Sequence, residues 1–250
     1  MGEKTLFLSW QDQATSRRWF PIGRLDANLQ KPIYRFRYTK GAKEAQQVAN
    51  FRPLPDFPDF ERDYKASELF PIFKNRVMSA GRPDFLDYLK QLDLDPQNND
   101  PIQILSVSGG RRVTDEFQVF PRLQRNADGS FSCRFFVHGS SHVSEPAQQR
   151  IESLRAGERL NIALELTNPA TGFAVQVQTS DYFMIGWAPR YLVDDLAAAI
   201  ANSPGRYEAK VVRVNAQPAP SRYRVLVKFS GVWPDKYKPM SGGQFAPLVN

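Results

Sequence analysis

Apolar and polar positions alternate from the start of the chain. Over residues 5–11 the run Thr-Leu-Phe-Leu-Ser-Trp-Gln predicts a first strand, and residues 17–25 its hairpin partner. Residues 33–38 predict a third strand, with Tyr34, Phe36 and Tyr38 on one face and Arg35 and Arg37 on the other. Packing within a small sheet accounts for that aromatic stripe better than a stacking surface for RNA bases does. Such a sheet needs cover. Residues 70–77 predict an apolar turn or short helix. Residues 82–92 predict about three helical turns, with Pro83 near the start and Phe85, Leu86, Leu89 and Leu92 on one side. Residues 52–60 hold too many prolines for regular structure.

The pattern changes near residues 100–112. Polar residues 95–101 read as a linker, and residues 102–108 as a short helix or strand. The second half then opens on a strand at 116–122, a turn at 126–129 and a strand at 131–138. Pro146 near a helix start, Ile151 and Leu154 facing inward and Gly157 as a stop predict a helix over 144–154. Strand 158–166 alternates Leu160, Ile162, Leu164 and Leu166 toward a core. Asn168, Pro169 and Gly172 then turn the chain into strands 173–178 and 182–187. Pro189 starts a helix with Leu192, Leu196 and Ile200 at i, i+4 and i+8, and strands 206–214 and 222–230 close the chain as a hairpin. No internal repeat is visible. The expected class is α+β, mostly β.

Composition narrows this picture. With 42% hydrophobic and 12% aromatic residues, 250 residues can fill one large core or two small ones, and 19 prolines favour short elements with many connections. The net charge of +7 is unevenly spread. Residues 1–110 hold 16 Lys and Arg against 14 Asp and Glu, residues 111–202 hold 9 against 10, and residues 203–250 hold 8 against 2. A localised basic excess is the footprint expected of a phosphate-binding surface. Its cations on the last two strands are Arg206, Lys210, Arg213, Arg222, Arg224 and Lys228.

Candidate chemistry is sparse. The single cysteine, Cys133, alternates with Phe131, Phe135 and Val137 on an apolar strand face, so a buried, inert thiol is expected and no internal disulfide can form. His138 and His142 sit across a strand and loop without further metal donors nearby. The carboxylate pairs Asp56/Asp59 and Asp194/Asp195 fall in coil and on an exposed helix face. Ser108, Gly109, Gly110, Arg111 and Arg112 lack the Lys-Ser/Thr ending of a phosphate loop and read as a flexible linker. No enzyme activity, cofactor or metal is expected. The first residues show no signal-peptide core, Leu6 stands where a myristoylation motif following Gly2 wants Ser or Thr, and no apolar run is long enough for a membrane span. A cytoplasmic protein is expected.

Two resemblances follow from specific words. Asn168, Pro169, Ala174, Val175 and Val177, then Gly186, Trp187, Pro189 and Arg190, resemble the HIRAN domain pattern, within the matching order strand, helix, strand, turn, strand, strand, helix. Thr171 and Phe173 stand where that family usually has Asp and a second Asn. The loop Val137, His138, Gly139, Ser140, Ser141 and His142 resembles the loop that carries Arg and Tyr in relatives that bind DNA ends. The resemblance implies a small β-barrel that recognises single-stranded DNA ends beside helicase or nuclease machinery. Its nucleic-acid surface would comprise His138, Ser140, Ser141, His142, Asn168, Trp187, Arg190 and Tyr191 with the six cations above. The opening strand ending in Trp10, Gln11 and Asp12, the Ile22-Gly-Arg-Leu25 hairpin, residues 34–38, and Leu69, Phe70 and Pro71 resemble the N-terminal subdomain of HipA-type kinases, with no kinase core following. The organisation expected is a HipA-N-like subdomain over 1–105, a HIRAN-like domain over 113–202 and a basic hairpin extension over 203–250. The function implied is non-catalytic binding of single-stranded DNA or DNA ends. The alternative is a regulatory or antitoxin subunit that docks on a separately encoded HipA-like kinase.

Overall fold

A computed structural model describes residues 3–28, 30–97 and 99–249. Gly2, considered above for lipidation, lies outside them. The chain is a mostly β, α+β protein that divides into two compact units. One comprises residues 1–86, 96–122 and 240–250, and the other residues 87–95 and 123–239.

The first unit is built on a five-stranded antiparallel sheet. Its strands are β1 (Glu3–Gln11), β2 (Trp19–Asn28), β3 (Ile33–Tyr38), β4 (Tyr64–Ala66) and β5 (Phe117–Pro121), in the order β4-β3-β2-β1-β5. β5 corrects the expectation that its strand opens the second half, because it pairs with β1 from Leu6↔Pro121 to Trp10↔Phe117. Two elements here were not expected, the short strand β4 and α1 (Lys40–Ala49), which lies between β3 and β4. Its buried face is Gly41, Ala42 and Ala45, so no large apolar residue marks it at helical spacing. Small residues are required there: a Cβ on Gly41 would lie 2.3 Å from the Pro21 carbonyl oxygen. Asn50 ends the helix in the left-handed conformation.

Aromatic packing fills this unit. Phe36 stacks on Phe57 at 3.9 Å, and both are fully buried. The proline-rich stretch is irregular, as expected, but it is pinned: the Tyr38 hydroxyl donates to the Phe57 carbonyl and accepts from the Leu54 amide. The unit's other helices, α2 (Pro71–Lys74) and α4 (Pro101–Ser108), are short; α3 (Phe85–Gln91), expected to cover this sheet, is shorter than its sequence pattern suggests and lies mostly in the second unit. Gly109 caps α4 at φ 73°, and the Gly110 carbonyl accepts from Arg76, so the Gly-Gly stretch is a helix stop and not a loose linker. The tail also returns to this unit. The Leu248 amide donates to the Tyr38 carbonyl at 2.8 Å, and Pro247 bridges to Thr39.

The second unit carries a six-stranded antiparallel sheet. The remaining strands are β6 (Ser130–Phe136), β7 (Arg159–Asn168), β8 (Gly172–Thr179), β9 (Met184–Trp187), β10 (Tyr207–Val214) and β11 (Val225–Val232), in the order β6-β11-β10-β7-β8-β9. The β10–β11 hairpin therefore lies in the middle of this sheet. A closed barrel is replaced by a sheet whose two edge strands are joined by one antiparallel bridge, His138↔Trp187. Helices α5 (Glu145–Ser153) and α6 (Val193–Asn202) bury Ala147, Ile151, Leu196 and Ala199 in the core that also takes Cys133, Phe135, Val177 and Phe229. Trp233 closes that core, stacked on Phe131 at 3.8 Å.

Two expectations fail in instructive ways. Leu164 and Leu166 are 37% and 73% exposed, not inward. β10 pairs only with Arg159 and Leu160, so the rest of the β7–β8 hairpin runs on without a strand on that side. Asp195 is buried, not solvated, and accepts a hydrogen bond from the Tyr237 hydroxyl at 2.8 Å.

Candidate nucleic-acid interface

The place where the edges of the second sheet meet brings together most of the residues singled out from the sequence. The His138 amide donates to the Trp187 carbonyl at 2.8 Å, and the Trp187 amide donates back to the His138 carbonyl at 2.9 Å. This approach requires a glycine. At φ 137°, a Cβ on Gly186 would lie 2.3 Å from the His138 carbonyl oxygen. The half-buried Trp187 ring covers Gly139, where an added Cβ would approach the ring to 2.7 Å.

Trp187 is also fixed from the side. Its indole N–H donates to Glu165 Oε2 at 2.6 Å, and Asn168 Nδ2 donates to the same oxygen at 3.0 Å. These bonds hold the Glu165 carboxyl below its ordinary range despite the opposing effect of burial. Glu165 was not among the residues singled out from the sequence; its place on β7 opposite Ala174, and hence beside Trp187, depends on strand register. The Asn168 side-chain oxygen accepts from the amides of Ala170 and Thr171 and from the Thr171 hydroxyl, which shapes the turn into β8. Arg190 is exposed and donates to the carbonyls of Phe173 and Thr171, leaving further guanidinium N–H groups available. Thr171 and Phe173, the two departures from the HIRAN pattern, thus hold Arg190 through their backbones.

The loop residues divide. Ser141 and His142 are exposed, His138 is half-buried, and Ser140 is buried with its hydroxyl donating to the Ser221 carbonyl. Tyr191 is half-buried, and burial, with the Cys133 thiol as a smaller cause, raises its hydroxyl pKa well above the ordinary value. Cys133 is buried and its thiol is pushed up to about 12 by desolvation, the unreactive state expected.

The tail cations also fall into two kinds. Arg213 and Arg224 both bond to Asn215, whose side-chain amide donates to the carbonyls of Gln91 and Tyr223; they fasten β10 to β11. Arg206, Arg222 and Lys228 are exposed, and Arg222 lies over the Tyr223 ring. Lys210 pairs with Glu208 at 2.9 Å.

A family model described as the HIRAN domain matches residues 130–234, a range that includes this seam and both strands of the basic hairpin. Among solved structures, the HIRAN domain of human HLTF is 17% identical over 44% of this chain and 84% of its own, with a TM-score of 0.33. A Lactobacillus plantarum protein solved as a structural-genomics target is 17% identical over 42% of this chain and all of its own, with the same TM-score. No curated protein matches the chain. Among the described residues, no helix is long and apolar enough to cross a membrane.

Proposed function

We propose that this protein binds nucleic acid through the HIRAN-like region, with single-stranded DNA or DNA ends as the ligand, and catalyses no reaction itself. The observation that carries this reading is Trp187. A half-buried indole is fixed by a backbone bridge, a glycine beneath its ring and a 2.6 Å hydrogen bond, beside an exposed arginine. Single strands are held by aromatic platforms next to cations, and base stacking contributes about 1–3 kcal/mol per base. Arg190 and the exposed Ser141 and His142 supply donors for phosphate oxygens. The match to the HIRAN family supports the same reading, because that family's resemblance implies DNA recognition.

The test is fluorescence anisotropy with labelled single-stranded DNA, comparing a free 3′-hydroxyl end, a blocked 3′ end and a blunt duplex across a salt series. Binding that prefers the free single-stranded end and falls about 10-fold or more in Trp187→Ala is the expected result. No binding at low salt, or equal binding by Trp187→Ala, rejects the reading.

A further inference from the structure

The register of the second sheet places four cations directly opposite one another. Arg134 on β6 faces Lys228 on β11, Lys228 faces Lys210 on β10, and Lys210 faces Arg159 on β7. Directly opposed residues of antiparallel strands project from the same face, so these four form one transverse row. With strands about 4.8 Å apart, the row spans about 14 Å. Like charges in direct opposition destabilise a sheet.

Only part of this charge is neutralised locally. Glu208 binds both Lys210 and Arg159, at 2.9 and 3.3 Å, and Asp93 binds Arg134 at 3.1 Å. Lys228, in the middle, makes no hydrogen bond or ion pair among the described residues and is exposed. The Arg159 side chain is 79% exposed although it is ion-paired. Two carboxylates thus serve four cations, and the open positions lie at the centre and at the β7 end.

The row continues to the seam. Along β7, Arg159, Asn161, Ala163 and Glu165 share one face by the two-residue period, and Glu165 holds the Trp187 indole. Trp187 stands opposite Gln176, and Gln176 opposite Ala163, so the platform lies four residues along and two strands across from Arg159, about 16 Å away. The row and the platform are therefore two stations on one polar sheet face.

We infer that the sugar-phosphate backbone of a bound single strand crosses the sheet along Arg134, Lys228, Lys210 and Arg159, perpendicular to the strands, while a base or end is held at Trp187. This rests on the nucleic-acid reading above and adds a track that the sequence words do not include, since Arg134 and Arg159 lie outside the basic tail. Glu208 acts as a built-in counter-ion that phosphate oxygens displace. Such a track is independent of base sequence and strongly salt-dependent.

The experiment measures affinity for labelled 15-nucleotide oligothymidine and a mixed-sequence oligomer of equal length across a salt series. The proteins are the full chain, the double variant Lys228→Gln with Arg159→Gln, Glu208→Gln and Trp187→Ala, each first shown by circular dichroism to be folded at the assay temperature. The double variant is expected to flatten the plot of log affinity against log salt by about 1.4, at about 0.7 for each lost phosphate contact on a single strand, equally for both oligomers. Glu208→Gln is expected to act in the opposite direction, tightening binding and steepening the slope. Unchanged slopes in both variants, with binding lost in Trp187→Ala, overturn the track and leave the platform standing. Loss in the double variant with none in Trp187→Ala supports the track and overturns the platform. Absence of binding by the unsubstituted protein overturns both.

Discussion

The two sheets treat charge in opposite ways. In the first, two sets of buried charged groups are closed into ion pairs. Asp26 is buried and is served by Arg37 at 2.8 Å, Arg24 and the Thr5 hydroxyl. Arg76, with its side chain 3% exposed, forms a two-bond fork with Asp115. In the second sheet, four cations stand side by side with two carboxylates between them and one ammonium unpaired. Paired charges fix a fold; an unsatisfied row at the surface lowers stability slightly and leaves the molecule able to gain from an added anion. The first sheet has the electrostatics of a scaffold, and the second those of a receptor.

Removing one cation from each sheet tests this contrast most directly, and the largest effect falls on the first. Arg37→Met leaves Asp26 buried with one fewer partner, and breaking a buried pair costs about 3–5 kcal/mol. The Asp26 carboxyl is pushed upward by burial, yet the hydrogen bonds from Arg24, Thr5 and Arg37 outweigh this and hold it below its ordinary value. Arg37→Met should therefore lower the unfolding midpoint and the protection of β2 and β3 amides against hydrogen exchange, with DNA affinity at low salt unchanged where the protein stays folded. A loss below 1 kcal/mol would show that the pair is not a stabilising element.

The sequence carried this contrast unevenly. Strands β1, β3, β7 and β8 and helix α5 were legible from alternation, prolines and turn residues. Helix α1 was not, because a face made of Gly41, Ala42 and Ala45 packs by close approach and not by bulk. The sheet to which β5 belongs was hidden as well, since pairing between residues more than 100 positions apart leaves no mark on local pattern. Within the site, Trp187, Asn168 and Arg190 were identifiable from their words. Glu165 and the cation row were not, because both arise from register: Arg134 and Arg159 are unremarkable along the chain and become neighbours of Lys228 and Lys210 only across the ladder.

A smaller effect is expected at Glu165. Its hydrogen bond from the Trp187 indole lowers its pKa in the folded protein below 4.5. A group with a lowered folded value contributes stability that is fully present above its unfolded value and is lost as pH falls through the folded one. Orientation of Trp187 should thus be constant from neutral pH down to about 4.5 and should decay only below it, seen as a change in tryptophan near-ultraviolet circular dichroism. Glu165→Gln should remove this acid transition and weaken single-strand binding less than Trp187→Ala does. An acid transition that persists in Glu165→Gln would assign it to another group.

The smallest effect, and the opposite in sign to that of Arg37, is expected at Lys228. Removing this ammonium in Lys228→Ala relieves repulsion from Lys210 and Arg134 on either side, and opposed pairs of this kind are worth about 0.2–1 kcal/mol. The side chain is exposed and makes no hydrogen bond or ion pair among the described residues, so what is lost in exchange is its longer-range attraction to the Glu208 carboxylate. The unfolding midpoint should stay the same or rise slightly at low ionic strength, and the gain should vanish as salt screens the row. A loss of stability would mean that Lys228 is held by the fold. A gain in stability together with a flatter salt dependence of DNA binding would show that one side chain is unfavourable to the free protein and favourable to the complex, the signature of a group placed for a ligand.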